Sequence, residues 1–193
     1  RNRRYFDLMR NFRRYSWLLT YLFGASPAVC NSFLKDKQHS LLPFDEVTAF
    51  LPYATSLRSG NLGYQSNTQA ENMNICYNGL ENYVSTLANA IATEHAPYKA
   101  IGLLVNHEYR QVNTNILQSE AEFYSSIRAK RVPDKGENFL ACLLEQGVQY
   151  IEVRLLDVNP YLPLGIDEQQ IKFLDSFLLF CLLSDSPKHG DQL

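Results

Sequence analysis

Tyr150-Ile-Glu-Val-Arg-Leu-Leu156 alternates polar and apolar side chains, the mark of a β-strand whose two faces meet different surroundings. Ile151, Val153 and Leu155 fall on one face, and Tyr150, Glu152 and Arg154 on the other. With Val148 included, the β-branched run predicts a strand over 148–156. The apolar row belongs against a core. The second row either meets solvent or carries chemistry.

The upstream segment Gln118-Ser-Glu-Ala-Glu-Phe-Tyr124, if extended, sets Gln118, Glu120, Glu122 and Tyr124 against Ala121 and Phe123. Two such strands would present carboxylates in rows beside arginine. Carboxylates in rows can hold divalent cations, and guanidiniums can hold anionic groups. A solvent-facing sheet with Glu–Arg pairs gives the same pattern at no functional cost. Between these segments, Ile127-Arg-Ala-Lys-Arg131 reads as a short loop whose cations suit a polyphosphate, with a solvated turn as the alternative. The chain has no Gly-x-Gly-x-x-Gly and no Gly-x-x-x-x-Gly-Lys-Ser/Thr, so neither a dinucleotide fold nor a P-loop is supported.

Helical signals lie on both sides. Leu8, Phe12, Tyr15, Leu19 and Leu22 recur at spacings of four and three, predicting one helix that ends at Gly24. Its arginines, Arg1, Arg3, Arg4, Arg10, Arg13 and Arg14, read as the solvated face opposite the stripe. Leu80, Tyr83, Val84, Leu87 and Ile91 predict a second helix over 78–92, with Asn78 and Glu81 as a capping box. Ile101–Val105 and Tyr109–Asn113 flank Asn106-His107-Glu108 as a hairpin, and a short helix over Phe139–Gln146 closes at Gly147. Asp157-Val-Asn-Pro160 is a loop; then Asp167 caps a last helix through Gln170, with Phe173, Leu174, Phe177, Leu178 and Cys181 inward. Residues 24–27 and 51–64 hold the breakers of two further loops.

Composition narrows the function classes. The 193 residues are 46% hydrophobic and carry 18 basic against 20 acidic side chains, a net charge of −2. Such a chain forms an ordinary core and has no global field drawing it to nucleic acid or a membrane surface. Its longest apolar run, Phe177–Leu183, is far shorter than the roughly 20 residues a membrane span requires. Cys30, Cys76, Cys142 and Cys181 show no zinc or redox spacing, which fits a reduced, cytoplasmic protein. His39, His95, His107 and His189 read as surface residues. Arg1 leads straight into a helical pattern without an initiator Met, which reads as a cut inside a longer protein.

Tyr21-Leu-Phe-Gly-Ala-Ser-Pro-Ala28, Leu51-Pro-Tyr-Ala-Thr-Ser-Leu-Arg58, Leu62-Gly-Tyr64, Tyr124, Ile127-Arg-Ala-Lys-Arg131, Tyr150-Ile-Glu-Val-Arg154 and Gly165-Ile-Asp-Glu-Gln-Gln170 stand in one order along the chain. In sequence and order they resemble blocks of proteobacterial glutamate–cysteine ligases. The resemblance covers most of the chain and departs at 65–77, 93–108 and 133–138. It implies an α+β fold, part of a glutamine-synthetase-like carboxylate–amine ligase, with an antiparallel sheet and helices on one side. It implies a single catalytic-domain fragment over 1–193, whose remaining partner is the rest of the parent chain. It also implies ATP-dependent joining of the L-glutamate γ-carboxylate to L-cysteine through a γ-glutamyl phosphate, with Mg2+ or Mn2+.

Carried onto this chain, Glu152 matches a metal ligand, while Arg154, Tyr64 and Tyr124 match positions around cysteine and Arg58 an arginine near the substrates. Arg154 and Arg58 are thereby the expected catalytic residues. Local chemistry adds Glu120 as a second metal ligand and Lys130 and Arg131 as ATP contacts. The fragment is expected to be inactive alone. The alternatives are the ligase half of a bifunctional glutathione-synthesising enzyme, or a binding or regulatory domain without chemistry.

Overall fold

The structure, a computed structural model, describes residues 1–35, 37–60 and 62–190; Asn61 of the predicted 51–64 loop lies outside them. The first predicted helix is two: α1 (Asn2–Tyr15) and α2 (Trp17–Phe23), separated at Ser16, which keeps helical angles (φ −63°, ψ −18°). Gly24 ends α2 as expected, its N–H donating to Thr20 O at 3.0 Å. Leu8, Phe12 and Leu19 of the predicted stripe are buried, whereas Tyr15 and Leu22 are exposed. The arginines depart from the solvated-face expectation at Arg10. It is 2% exposed and donates to Tyr77 O (2.9 Å) and Ser186 O (3.0 Å), with Asp7 as its ion-pair partner.

Short strands follow: β1 (Ala28–Cys30), β2 (Leu42–Pro43) and β3 (Thr48–Phe50), antiparallel in the order β1-β3-β2. Two- and three-residue strands, one ending in proline, carry too little alternation to be read from sequence. After α3 (Asn67–Asn72), α4 (Leu80–Ala92) buries Leu80, Tyr83, Val84 and Leu87 as predicted. Its cap is Gly79, and no capping box forms. The Asn78 side chain instead exchanges two 2.9 Å hydrogen bonds with the His189 backbone.

Then come α5 (Ala96–Ile101) and the hairpin of β4 (Leu104–Val105) and β5 (Glu108–Tyr109). Its turn residues Asn106 and His107 have φ of 52° and 66°, the double left-handed geometry of a tight hairpin. Glu108 belongs to the strand rather than the turn.

Two sequence expectations are corrected here. Gln118–Tyr124 is not a strand: Glu120–Glu122 is a 3-10 turn, closed by Glu122 N–H on Ser119 O (3.1 Å) and Gln118 N–H on the Glu122 carboxylate (3.0 Å). Ile127–Lys130, expected as a loop, is strand β6, and it pairs antiparallel with β7 (Tyr150–Val153). The register sets Ile127 opposite Val153, Arg128 opposite Glu152, Ala129 opposite Ile151 and Lys130 opposite Tyr150.

Between them α6 (Phe139–Gln146) is capped by Asn138 and ends at Gly147. Gly147 has φ +79°, and a Cβ there would lie 2.5 Å from the Asn2 side chain. Finally α7 (Glu168–Leu183) starts as predicted, Asp167 accepting from Gln170 N–H at 2.8 Å.

The core forms where the apolar row of β6–β7 meets the helices. Ile127 and Ala129 are buried with Phe6, Met9 and Phe12 of α1, Tyr83 and Leu87 of α4 and Leu143 of α6. Phe177 of α7 closes edge-on against Phe12, ring centroids 5.8 Å apart. The fold class is α+β, with antiparallel strand pairs and helices on one side of the β6–β7 pair, as expected. Among the described residues no helix is long and apolar enough to cross a membrane.

Candidate active site

With Ile127 and Ala129 buried and Ile151 and Val153 half-buried against the core, Arg128, Lys130, Tyr150 and Glu152 fall on the opposite face, because side chains alternate along both strands. Arg154 N–H donates to Ser126 O at 2.9 Å, which carries the ladder one step further and keeps Arg154 on the Glu152 side. One Glu152 oxygen, Oε1, pairs with Arg154 Nη2 at 2.9 Å. The other, Oε2, is buried with no hydrogen-bond partner. Arg154 Nη1 donates to the Tyr64 phenol at 3.0 Å, and Arg128 Nη2 donates to the same oxygen at 3.2 Å. Arg128 is 3% exposed; its Nη1 donates to Ala121 O at 3.2 Å and its Nε has no partner.

Tyr64 reaches the sheet because its loop folds back on itself. Its N–H donates to Arg58 O at 2.7 Å, and at Gly63 a Cβ would lie 2.1 Å from that same carbonyl oxygen. Only glycine permits so close an approach. Arg58 in turn donates to Arg154 O at 2.7 Å and stands 5.1 Å from the centre of the Tyr64 ring. Tyr124 packs at 4.7 Å from Tyr64, its N–H held by the Gln69 side chain at 2.9 Å. A cavity of about 510 Å³ opens here, lined by Tyr64, Tyr98, Gln118, Tyr124, Arg128 and Arg154.

Asp157, just beyond the strand, ties both loops to the sheet. Its carboxylate accepts from Ala25 N–H (2.9 Å), Ser26 Oγ (2.7 Å) and Ser56 Oγ (3.0 Å) and is largely buried.

Burial would push the Glu152 carboxyl up, yet the Arg154 hydrogen bond and charge, with Lys130 and Arg128 behind, hold it below the ordinary glutamate value. The group is therefore ionised at neutral pH. Arg58, Arg128, Lys130 and Arg154 outnumber it on this face, so the site carries excess positive charge and suits anionic ligands.

Of the residues singled out in the sequence, Arg58, Tyr64, Tyr124, Glu152 and Arg154 come together. Lys130 stays on the Glu152 face, its ammonium 5.0 Å from the centre of the Phe139 ring. Arg131 does not join them. Its guanidinium donates to Gln146 O (3.0 Å), to the Gln146 side chain (3.1 Å) and to Gly147 O, closing the end of α6. Glu120 sits on the 3-10 turn and, among the described residues, in no metal-ligating cluster, so the expected carboxylate row does not form. Sequence reasoning counted Arg128 among the cations of 127–131 without placing it beside Glu152 and Tyr64, and it gave Asp157 no role. The strand period would have placed Arg128 opposite Glu152 had 127–130 been read as extended. Asp157 gave no local signal, since its partners lie 101 to 132 residues away.

Glu152 Oε2 is a buried, ionised and unsatisfied oxygen, which fits one ligand of a hard divalent cation. Among the described residues no group of three His, Cys, Asp or Glu side chains gathers to complete such a site. The fit is that of a single contributing ligand.

A family model described as glutamate-cysteine ligase matches residues 1–192. Over 189 residues the chain is 56% identical to the glutamate–cysteine ligase of Saccharophagus degradans, covering 97% of this chain and 36% of that protein. Over 183 residues it is 56% identical to that of Pseudomonas aeruginosa PAO1, covering 95% and 34%. A crystal structure of glutamate–cysteine ligase from Francisella tularensis in complex with AMP superposes with a TM-score of 0.91 at 39% identity, over 98% of this chain and 38% of that one. A bifunctional glutathione synthetase from Pasteurella multocida superposes at 0.66 with 27% identity, over 99% of this chain and 20% of that one. The chain thus spans about a third of the length of the curated relatives it matches. With residues 1–192 of its 193 matched and more than half its residues shared with those relatives, the chain belongs to the glutamate–cysteine ligase family.

Proposed function

We propose that this chain supplies part of the active site of an enzyme that joins L-glutamate to L-cysteine at the expense of ATP. The observation that carries the reading is the Glu152–Arg154–Tyr64–Arg58 cluster on the sheet face, in a family whose members bear that activity in their names. The AMP held by the Francisella relative supports the use of ATP. The reaction has two balanced steps. An oxygen of the glutamate γ-carboxylate attacks the γ-phosphorus of ATP, and ADP leaves. The cysteine amine then attacks the acyl carbon, the bond from that carbon to the phosphate oxygen breaks, and the amine loses a proton.

Each residue has a share suited to its surroundings. Arg154 and Arg58 present fixed positive charge where negative charge develops in both steps. Tyr64 and Tyr124 wall the cavity and orient the amino-acid substrate. Lys130, on the Glu152 face, is the cation we assign to the ATP phosphates; Arg131 would first have to leave its three carbonyl and amide partners. Glu152 would hold magnesium, or manganese, through Oε2. When bound, that ion neutralises charge on the transferring phosphoryl group. Free Cys30, Cys76, Cys142 and Cys181 fit a reducing, cytoplasmic setting.

The test is ADP release by the full-length gene product with glutamate and cysteine supplied separately and together. Release that needs both amino acids supports the reading, and release unaffected by cysteine overturns it. The bifunctional alternative has weaker support, given the lower structural similarity to the Pasteurella protein.

A further inference from the structure

The last turn of α1 carries two guanidiniums, and neither meets a carboxylate among the described residues. Arg14 is half-buried and donates to the Asn11 side-chain oxygen at 2.9 Å and to Pro187 O, both uncharged acceptors. Arg13 stands 4.5 Å from the centre of the Tyr77 ring, and its guanidinium has no hydrogen bond or ion pair with any described residue. Both line a cavity of about 420 Å³ together with Cys76, Asn78 and His189, and no acidic side chain lines it among the described residues.

The walls of this cavity are held in place. The Asn78 side chain and the His189 backbone exchange two 2.9 Å hydrogen bonds, while Arg14 holds the preceding turn of chain at Pro187. Burial, and then the charges of Arg14, Arg13 and Arg10, keep the His189 imidazole below its ordinary value, so the ring is neutral at neutral pH with an N–H to donate. Arginines on a convex helix face are simply solvated. Within a cavity they lose part of that water, and a ligand with several acceptor oxygens replaces it. Two guanidinium forks and an imidazole N–H offer more donors than one carboxylate accepts, which suits a phosphate group. Ile75 and Cys76 leave a weakly polar wall for whatever carries it.

We propose that Arg13, Arg14 and His189 form a binding site for a phosphate group, free or carried on a small molecule. The inference does not use the ligase reading, because this cavity shares no lining residue with the one beside Arg154 and Tyr64.

Cys76 lies in the wall and reports occupancy. The full-length gene product is alkylated with iodoacetamide, a neutral reagent, and the rate at each cysteine is read by peptide mass spectrometry. Inorganic phosphate and glycerol phosphate are each compared with sodium chloride at matched ionic strength. With about 10 mM ligand and a dissociation constant of about 1 mM, alkylation of Cys76 should slow about 10-fold. Alkylation of the exposed Cys30 should not change. Slowing by inorganic phosphate shows that the free ion suffices, and slowing by the ester alone shows that the carrier is needed. Arg13→Gln should reduce the slowing to less than about twofold. If that variant fails to fold, Arg13→Lys serves instead: it keeps the charge but loses the fork, and should leave a slowing of about threefold. Slowing as large in the variant as in the wild type would overturn the proposal, as would equal slowing at Cys30 or none at Cys76. A Cys76 that resists alkylation in sodium chloride alone would mean that the rest of the chain fills the cavity, and would overturn it too.

Discussion

Glu152 is the residue on which the site turns, because its two carboxylate oxygens have different fates. Oε1 is held by Arg154, while Oε2 is buried and unsatisfied. Glu152→Gln in the full-length protein keeps the size and removes the charge. Magnesium dependence should weaken and turnover fall by about 100-fold or more, as the loss of one electrostatic stabiliser does. An unchanged magnesium titration would remove Glu152 from the metal site.

The pH behaviour follows from the same pair. A carboxyl held below its ordinary value contributes stability that is fully present above the unfolded value and is lost as pH falls through the folded one. The melting-temperature difference between wild type and Glu152→Gln should therefore be constant near neutrality and shrink in acid, below the ordinary glutamate range. A difference that stayed independent of pH through and below that range would mean that the carboxylate gains nothing from its arginine.

At the level of elements, the site exists because a strand and a loop are brought within hydrogen-bond reach. Strand β7 puts Glu152 on the polar face, with Arg154 continuing that side. The 58–64 loop returns Tyr64 over Arg58 through a contact at Gly63 that no side chain tolerates. Gly63→Ala should cost about 1–3 kcal/mol by overpacking, read from a urea titration. It should also raise KM for the amino-acid substrate more than KM for ATP, since Tyr64 and Arg58 move while Lys130 does not. Equal rises in both constants would show that the loop serves general folding rather than one substrate.

The strand itself was legible, since Tyr150-Ile-Glu-Val-Arg-Leu-Leu156 declares its two faces by alternation alone. Its partner was not, because Ile127-Arg-Ala-Lys has only two apolar positions and ends in charge, a pattern that a turn shares. The 3-10 turn at Glu120–Glu122 defeated the strand reading for another reason: Glu122 bonds its own neighbours at 118 and 119, a local choice that alternation does not register.

On the scale of the whole molecule, the described residues contribute one credible metal-binding oxygen where phosphoryl transfer requires a cluster. The relatives are nearly three times as long. The purified 193-residue chain, supplied with magnesium, ATP, glutamate and cysteine, should release no ADP above background. Turnover by that chain would mean that the metal site is complete within it.

Sequence alone placed the helices α4 and α7 and the strand β7 where the period is regular, because burial of one face leaves its repeat in the order of side chains, although the expected strand over 148–156 pairs as β7 only over Tyr150–Val153. Through the motif blocks it also identified the family, and with it Arg58, Tyr64, Tyr124, Glu152 and Arg154. Only the tertiary structure decided that these five meet, that Arg128 joins them, that Arg131 serves the end of α6, and that Asp157 locks the loops. Those outcomes depend on hydrogen bonds between groups from 15 to more than a hundred residues apart, and no local pattern encodes which distant donor a buried acceptor will find.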